Sequence, residues 1–144
     1  MTIGIRHGEY LISDDPARVD IAAVHTWLSE SSYWAKGRSR QTVARSIANS
    51  IPLGVYHDEA CVGFARVVTD RATFAWLCDV FVMEEHRGRG LGRALVEAAV
   101  THPELLGIQR FVLATADAQD LYRQSGFEVL AHPDRWMLRR GPIT

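Results

Sequence analysis

Between residues 73 and 100 the chain passes directly from an apolar run, Thr73 to Met83, through Arg87-Gly88-Arg89-Gly90-Leu91-Gly92 and into a repeat of Leu91, Leu95, Ala98 and Ala99. An apolar run of that length reads as a strand buried in the middle of a sheet, and the repeat after the turn has helical spacing. A glycine-rich turn that joins a buried strand to a helix leaves the first N–H groups of the helix free and pointing outward. With the positive end of the helix dipole, those groups form an anion site that glycines let a ligand approach closely. Arg87, Arg89 and Arg93 add charge-assisted donors around the same turn, and a pyrophosphate fits this description.

The flanking segments extend the sheet. A short strand is expected near Glu9 to Ile12, then a helix opened by Asp15-Pro16 and running to about Glu30, with Ile21, Val24 and Leu28 as its apolar stripe. After the loop Ser31-Ser32-Tyr33-Trp34, Ser39 is placed to cap a second helix, with Val43 and Ile47 on one face, ending near Ser50. Leu53, Val55 and Tyr56, the turn at 57–59, and Cys61 to Thr69 read as a hairpin; with Thr73 to Met83 they give three antiparallel strands in series. Phe111 to Ala114 is the next strand and Ala118 to Ser125 a short helix stopped by Gly126. Phe127 to Leu130 and Arg135 to Leu138 are expected to finish a mixed sheet of α+β class. The 144 residues, 47% of them apolar, suffice for one core, so a single domain over 1–144 is expected.

Lys and Arg number 16 against 17 Asp and Glu, so no global positive field draws the chain to nucleic acid or to an anionic membrane. Any anion it holds must be met locally. Nowhere do ~18 apolar residues run together and no secretory leader is evident, so a cytoplasmic location without a membrane partner is expected. Cys61 and Cys78 lie in strand-like runs and read as small core residues. The six histidines lack metal-ligand spacing, so no metal is expected.

Two familiar phosphate loops fit poorly. A Walker loop requires a lysine that the turn lacks, Lys36 being the chain's one lysine. A dinucleotide fingerprint requires a parallel βαβ unit where the strands here read as antiparallel. The segment instead resembles the signature of the GNAT acyltransferases, R/Q-x-x-G-x-G/A after a central strand, with Arg87, Gly90 and Gly92 at its three specified positions. The similarity extends along nearly the whole chain, through the order of strands and helices to Ala118-x-x-x-Tyr122 and Gly126-Phe127. It implies an α/β/α layered fold in which a mixed, mostly antiparallel sheet of six to seven strands is flanked by about four helices.

The resemblance also implies roles. The turn, Arg87, Gly88, Arg89, Gly90, Leu91, Gly92 and Arg93, would hold the pyrophosphate of acetyl-CoA. The strand backbone at Phe81 and Val82 would pair with the pantetheine arm and polarise the thioester carbonyl. Thr115 stands where the family often has an asparagine that contacts pantetheine. Tyr122 corresponds to the usual general acid, or else is an amphipathic core residue. Asp79 is a candidate base for the ammonium of an acceptor, or else a structural carboxylate paired with an arginine. Tyr33, Trp34 and Trp76 either line an acceptor pocket or cover the core. The expected reaction is acetyl transfer to a primary amine, on a small molecule or a peptide, by direct attack. A catalytically weak acyl-CoA sensor is the alternative, and either a monomer or a homodimer is compatible, the last strands offering an edge for pairing.

Overall fold

In the computed structural model, which describes residues 2–142, the backbone of the chain builds one six-stranded sheet in sequence order: β1 (Gly4–His7), β2 (Tyr10–Ser13), β3 (Ile51–His57), β4 (Ala60–Thr69), β5 (Phe74–Val82) and β6 (Arg110–Val112). Neighbours from β1 to β5 are antiparallel and β5 and β6 are parallel. The helices are α1 (Ile21–Thr26), α2 (Arg40–Ala48), α3 (Leu91–Val100) and α4 (Gln119–Arg123).

Local chemistry explains most boundaries. Ser39 accepts from the Thr42 N–H and opens α2 as its sequence suggests. The first helix differs from expectation: Asp15 caps only a single turn at Pro16–Arg18, and Asp20, accepting from the Ala23 N–H, starts α1 proper. Its last turn, Trp27–Ser31, is π-helical, which widens the helix where the aromatic loop begins. β1 is an addition to the expected elements, because three of its four residues are exposed and no apolar alternation marks it; it pairs Ile5 with Ile12.

The two terminal strands require correction. Among the described residues neither Phe127–Leu130 nor Arg135–Leu138 joins the sheet, and 133–135 form a single helical turn instead. A strand exists only against a partner backbone, and no element of the described chain lies against these two segments in register.

The sheet is covered on both faces. Ile12, Leu53, Val55, Ala65 and Val67 pack with Leu91, Leu95 and Ala99 of α3, while Phe64 turns to the other side and packs with Val24, Leu28, Val43 and Ile47 of α1 and α2. The result is the three-layered α+β architecture expected.

Tyr56 is buried on this frame with its ring under the Arg18 guanidinium, 4.2 Å from the ring centroid, and its hydroxyl makes no hydrogen bond. Burial pushes its ionisation well above the ordinary phenol range. A buried hydroxyl without a partner costs about 1–3 kcal/mol. Tyr56→Phe keeps the ring and removes that cost, so urea denaturation should show a protein at least as stable as the parent; a clear loss of stability would mean that the hydroxyl has an unseen partner.

Two irregularities set the shape of β5. Opposite Phe64 and Arg66 the β4–β5 register slips by one residue, and Asp79 stands there with φ of 54°, a left-handed backbone in mid-strand. The β5–β6 ladder is also short, ending at Trp76 opposite Val112. Beyond that pair the two strands part.

Candidate functional site

The glycine turn has the geometry that its composition requires. Gly88 and Gly90 adopt φ of 78° and 77°, positions that a side chain would strain. Gly90 opens α3 without a side-chain cap, and its carbonyl receives the Ala94 N–H, so the N–H groups of Leu91, Gly92 and Arg93 precede the first intrahelical bond. The Leu91 side chain is buried in the core, so this residue can meet a ligand only through its backbone. Arg87, Gly88, Arg89, Gly90 and Arg93 are exposed around this terminus.

The hydrogen bonds sort the backbone of β5 into two edges. The Met83 N–H donates to the Val62 carbonyl of the β4 side. By the alternation of a strand, the Phe81 peptide N–H faces β4 as well, and both polar groups of Val82 face the opening toward β6. The Arg87 Nε–H donates to the Val82 carbonyl at 2.9 Å on that side, and the guanidinium lies 5.5 Å from the centroid of the Phe81 ring. Arg87 thus braces the turn against the strand end. Of the two candidates for a donor, Val82 is the one whose N–H opens onto the wedge. The Phe81 ring serves differently: it stacks on Trp27 at 5.5 Å, at the end of α1.

Tyr122 lies on α4, its ring edge-on to Phe127. Burial, followed by the neighbourhood of Tyr33 and Asp117, raises its ionisation, so the phenol holds its proton through the neutral range. Tyr33 bridges the wedge: from the loop between α1 and α2 its hydroxyl accepts the Ala116 N–H at 2.9 Å. Thr115 accepts the Ala118 N–H at 3.1 Å in the turn that precedes α4.

Asp79 sits in a buried network of three donors. Its Oδ2 receives Arg66 Nε at 2.6 Å and Arg38 at 2.9 Å, and its Oδ1 receives the Trp34 indole N–H at 2.9 Å. Arg66 and Asp79 are both buried, and Arg66 also donates to Ser50. A carboxylate whose two oxygens are engaged by two guanidinium groups and an indole is committed to holding those partners in place. The arrangement favours the structural alternative for Asp79. It also fixes Trp34, which meets Tyr33 edge-on at 5.0 Å, and it places the Arg66 guanidinium 6.0 Å from the centroid of the Trp76 ring. Tyr33, Trp34 and Trp76 keep large exposed faces around this network.

The profile of the Acetyltransferase (GNAT) family matches residues 21–127, which covers the turn, the wedge and Tyr122 together. The chain belongs to the GNAT family. Among GNAT structures, one from Xanthomonas campestris described as an acetyltransferase superposes with a TM-score of 0.91 at 43% identity, over 95% of this chain and 96% of that one. A Clostridium acetobutylicum acetyltransferase structure, solved with acetyl-CoA, shares the fold at a TM-score of 0.68 and 11% identity, over 97% and 96% of the two chains. The spermine/spermidine N(1)-acetyltransferase of Bacillus subtilis is 26% identical over 126 residues, 79% of this chain and 83% of its own length.

Several residues around this GNAT site carry no signal in the sequence. His7 in β1 sets its Nε2 2.8 Å from the Arg89 carbonyl, and the Tyr10 hydroxyl lies 2.9 Å from His86 Nδ1, so the β1–β2 hairpin grips the turn from outside. Arg38 and Arg66 carry the Asp79 network. Nothing local marks these four, because each acts through a partner distant in sequence. Among the described residues no group of three or more His, Cys, Asp or Glu side chains is arranged to hold a metal ion, and no helix is long and apolar enough to cross a membrane.

Proposed function

We propose that this chain is an N-acetyltransferase that moves the acetyl group of acetyl-CoA to a primary amine by direct attack within a ternary complex. Three features support the reading: the uncapped terminus of α3, the Val82 N–H that strand alternation turns away from β4, and the phenol of Tyr122 on α4. The helix terminus, with Arg89 and Arg93, meets the pyrophosphate. The open edge of β5 takes the pantetheine amides as an added strand would, and the Val82 N–H donates to the thioester oxygen as negative charge develops on it. The neutral amine bonds to the carbonyl carbon and its nitrogen then gives up a proton to water, the C–S bond breaks as the tetrahedral intermediate collapses, Tyr122 delivers its proton to the departing thiolate, and the phenolate regains a proton from water. With Asp79 engaged on both oxygens, the proton of the incoming ammonium leaves through water at the exposed mouth framed by Tyr33, Trp34 and Trp76. These aromatic faces suit an acceptor whose amine is carried on an apolar or cationic body. Spermine and spermidine, for which the Bacillus relative is named, are amines of that chemistry.

Calorimetric titration with acetyl-CoA tests the cofactor half. Gly90 is a poor position for substitution, because its φ of 77° and a histidine contact at 3.4 Å would strain any side chain. At Gly92 an added Cβ meets only Leu121, at an ordinary 3.7 Å. Gly92→Asp places a negative charge in the first turn of α3, where it suits the helix but opposes a bound anion. It should retain the fold and lose at least about tenfold in affinity, about 1.4 kcal/mol. Unchanged affinity would remove the pyrophosphate from this turn. Tight binding without turnover of any amine in a varied panel would make the chain an acyl-CoA sensor instead.

A further inference from the structure

The network around Asp79 carries more positive than negative charge. Arg38 and Arg66 both bond the one carboxylate, so two guanidinium charges face a single counter-charge. The excess is sheltered: the side chains of Arg66 and Asp79 are 9% and 2% exposed, and that of Arg38 is 22% exposed. Neighbouring elements add to it. The loop 32–39 supplies Lys36 and no acid, α2 carries Arg40 and Arg45 and no acid, and Asp79 is the one acid of β5. Glu30, at the end of the first helix, is exposed and forms none of these ion pairs.

Nor are the donors all engaged. Arg38 bonds Asp79 through Nη1, and Arg66 uses Nε on Asp79 and Nη1 on Ser50. That leaves Nε and Nη2 of Arg38 and Nη2 of Arg66. Among the described residues the Tyr56 hydroxyl is the one fully buried side-chain polar atom without a partner, so these nitrogens reach the surface. They do so beside Trp34, whose indole bonds Asp79, and Trp76, which lies under the Arg66 guanidinium.

We propose that the acceptor is an amino carboxylate, whose primary amine is carried on an apolar body lying against Trp34 and Trp76 and whose carboxylate is met by the open donors of Arg38 and Arg66. This names the acceptor class for the acetyl transfer proposed above and rests on that reading. Of the two bodies that the aromatic faces admit, the charge selects the apolar one. A guanidinium already stands over Trp76, and the net positive charge repels a polycation. Nε and Nη2 share one edge of the Arg38 guanidinium, the pair of donors that grips both oxygens of a carboxylate. The other flank of the mouth has the opposite sign. Asp117 follows Ala116, whose N–H the Tyr33 hydroxyl accepts, and its charge acts on Tyr122. An acceptor with opposite charges at its two ends matches that polarity, its ammonium toward the phenol and its carboxylate toward Arg38.

The test compares acceptors that differ only in the carboxylate: 4-(aminomethyl)benzoate with benzylamine, and phenylalanine with 2-phenylethylamine, with spermidine as the polycation. The two pairs separate a carboxylate held far from the amine from one on the same carbon. In at least one pair kcat/KM should favour the carboxylate by roughly ten- to hundredfold, the range of a charged hydrogen bond. Arg38→Gln should collapse that preference toward unity through KM rather than kcat, and Arg38→Lys should restore part of it. Preference for the neutral amines or spermidine over both carboxylates, or a preference that Arg38→Gln leaves intact, would overturn the proposal. Should Arg38→Gln fail to fold, the matched pairs on the parent protein decide. If none of these amines is acetylated, the acetyl-transfer reading is what fails, and the carboxylate subsite is decided by binding. Tryptophan fluorescence should then saturate with 4-(aminomethyl)benzoate and not with benzylamine; no saturation would overturn the subsite too.

Discussion

Tyr122→Phe should lower kcat by roughly 10²–10⁴-fold, the range of a general acid, and should leave acetyl-CoA affinity unchanged. The ring is what packs against Phe127 and the main core, so its loss of a hydroxyl leaves the fold intact. The pH profile sharpens the expectation. Burial, Tyr33 and Asp117 all raise the ionisation of this phenol from its ordinary 10.0, so the acid form is complete through neutrality and is lost only as pH climbs beyond about 10. The parent enzyme should therefore rise in kcat with pH as the acceptor deprotonates and fall only on the far alkaline side; the variant should lose that falling limb with its rate. A variant of unchanged kcat would return Tyr122 to the core and leave the thiolate to depart unaided.

Asp79→Asn separates the two roles that its sequence position leaves open. The amide presents an N–H₂ donor where the carboxylate met two guanidinium groups, and it leaves the buried Arg66 guanidinium without its counter-charge. Breaking a buried pair in this way costs about 3–5 kcal/mol, visible as a lower urea midpoint with the slope unchanged. Replacing Arg66 by Met as well should recover part of the loss, because the unpaired charge is then gone. The folded fraction should keep kcat within about tenfold of the parent, since no essential proton transfer passes through Asp79. Full stability with kcat abolished would make Asp79 the base after all.

These two residues show where the chain is legible. The glycine turn can be read in full because its determinants are adjacent: glycines at left-handed positions, arginines beside them and a helical repeat immediately after. The Ser39 cap and the β3–β4–β5 meander are equally local. Asp79 stands out as a carboxylate in an apolar strand, but its meaning is set by Arg38, 41 residues away, and Arg66, 13 residues away, which no window of sequence brings together. The left-handed bulge that aims it has no glycine to announce it. β1 is hidden for the opposite reason, being exposed and without alternation. At the other end Arg135–Leu138 has the residues of a strand, and its pattern expresses a preference; a preference becomes a ladder only when a backbone is offered, and none is offered among the described residues.

The grip of the first hairpin on the glycine turn bears on how strongly the protein can bind. A loop that contains three glycines within five residues is among the segments that lose most entropy on ordering, and a ligand that had to order it would surrender part of its affinity in doing so. His7 and Tyr10 hold the turn before any ligand arrives, through one carbonyl and one imidazole, so that cost is met during folding. In the proposed reaction the β1–β2 hairpin, which touches no ligand, would thereby help to set the dissociation constant.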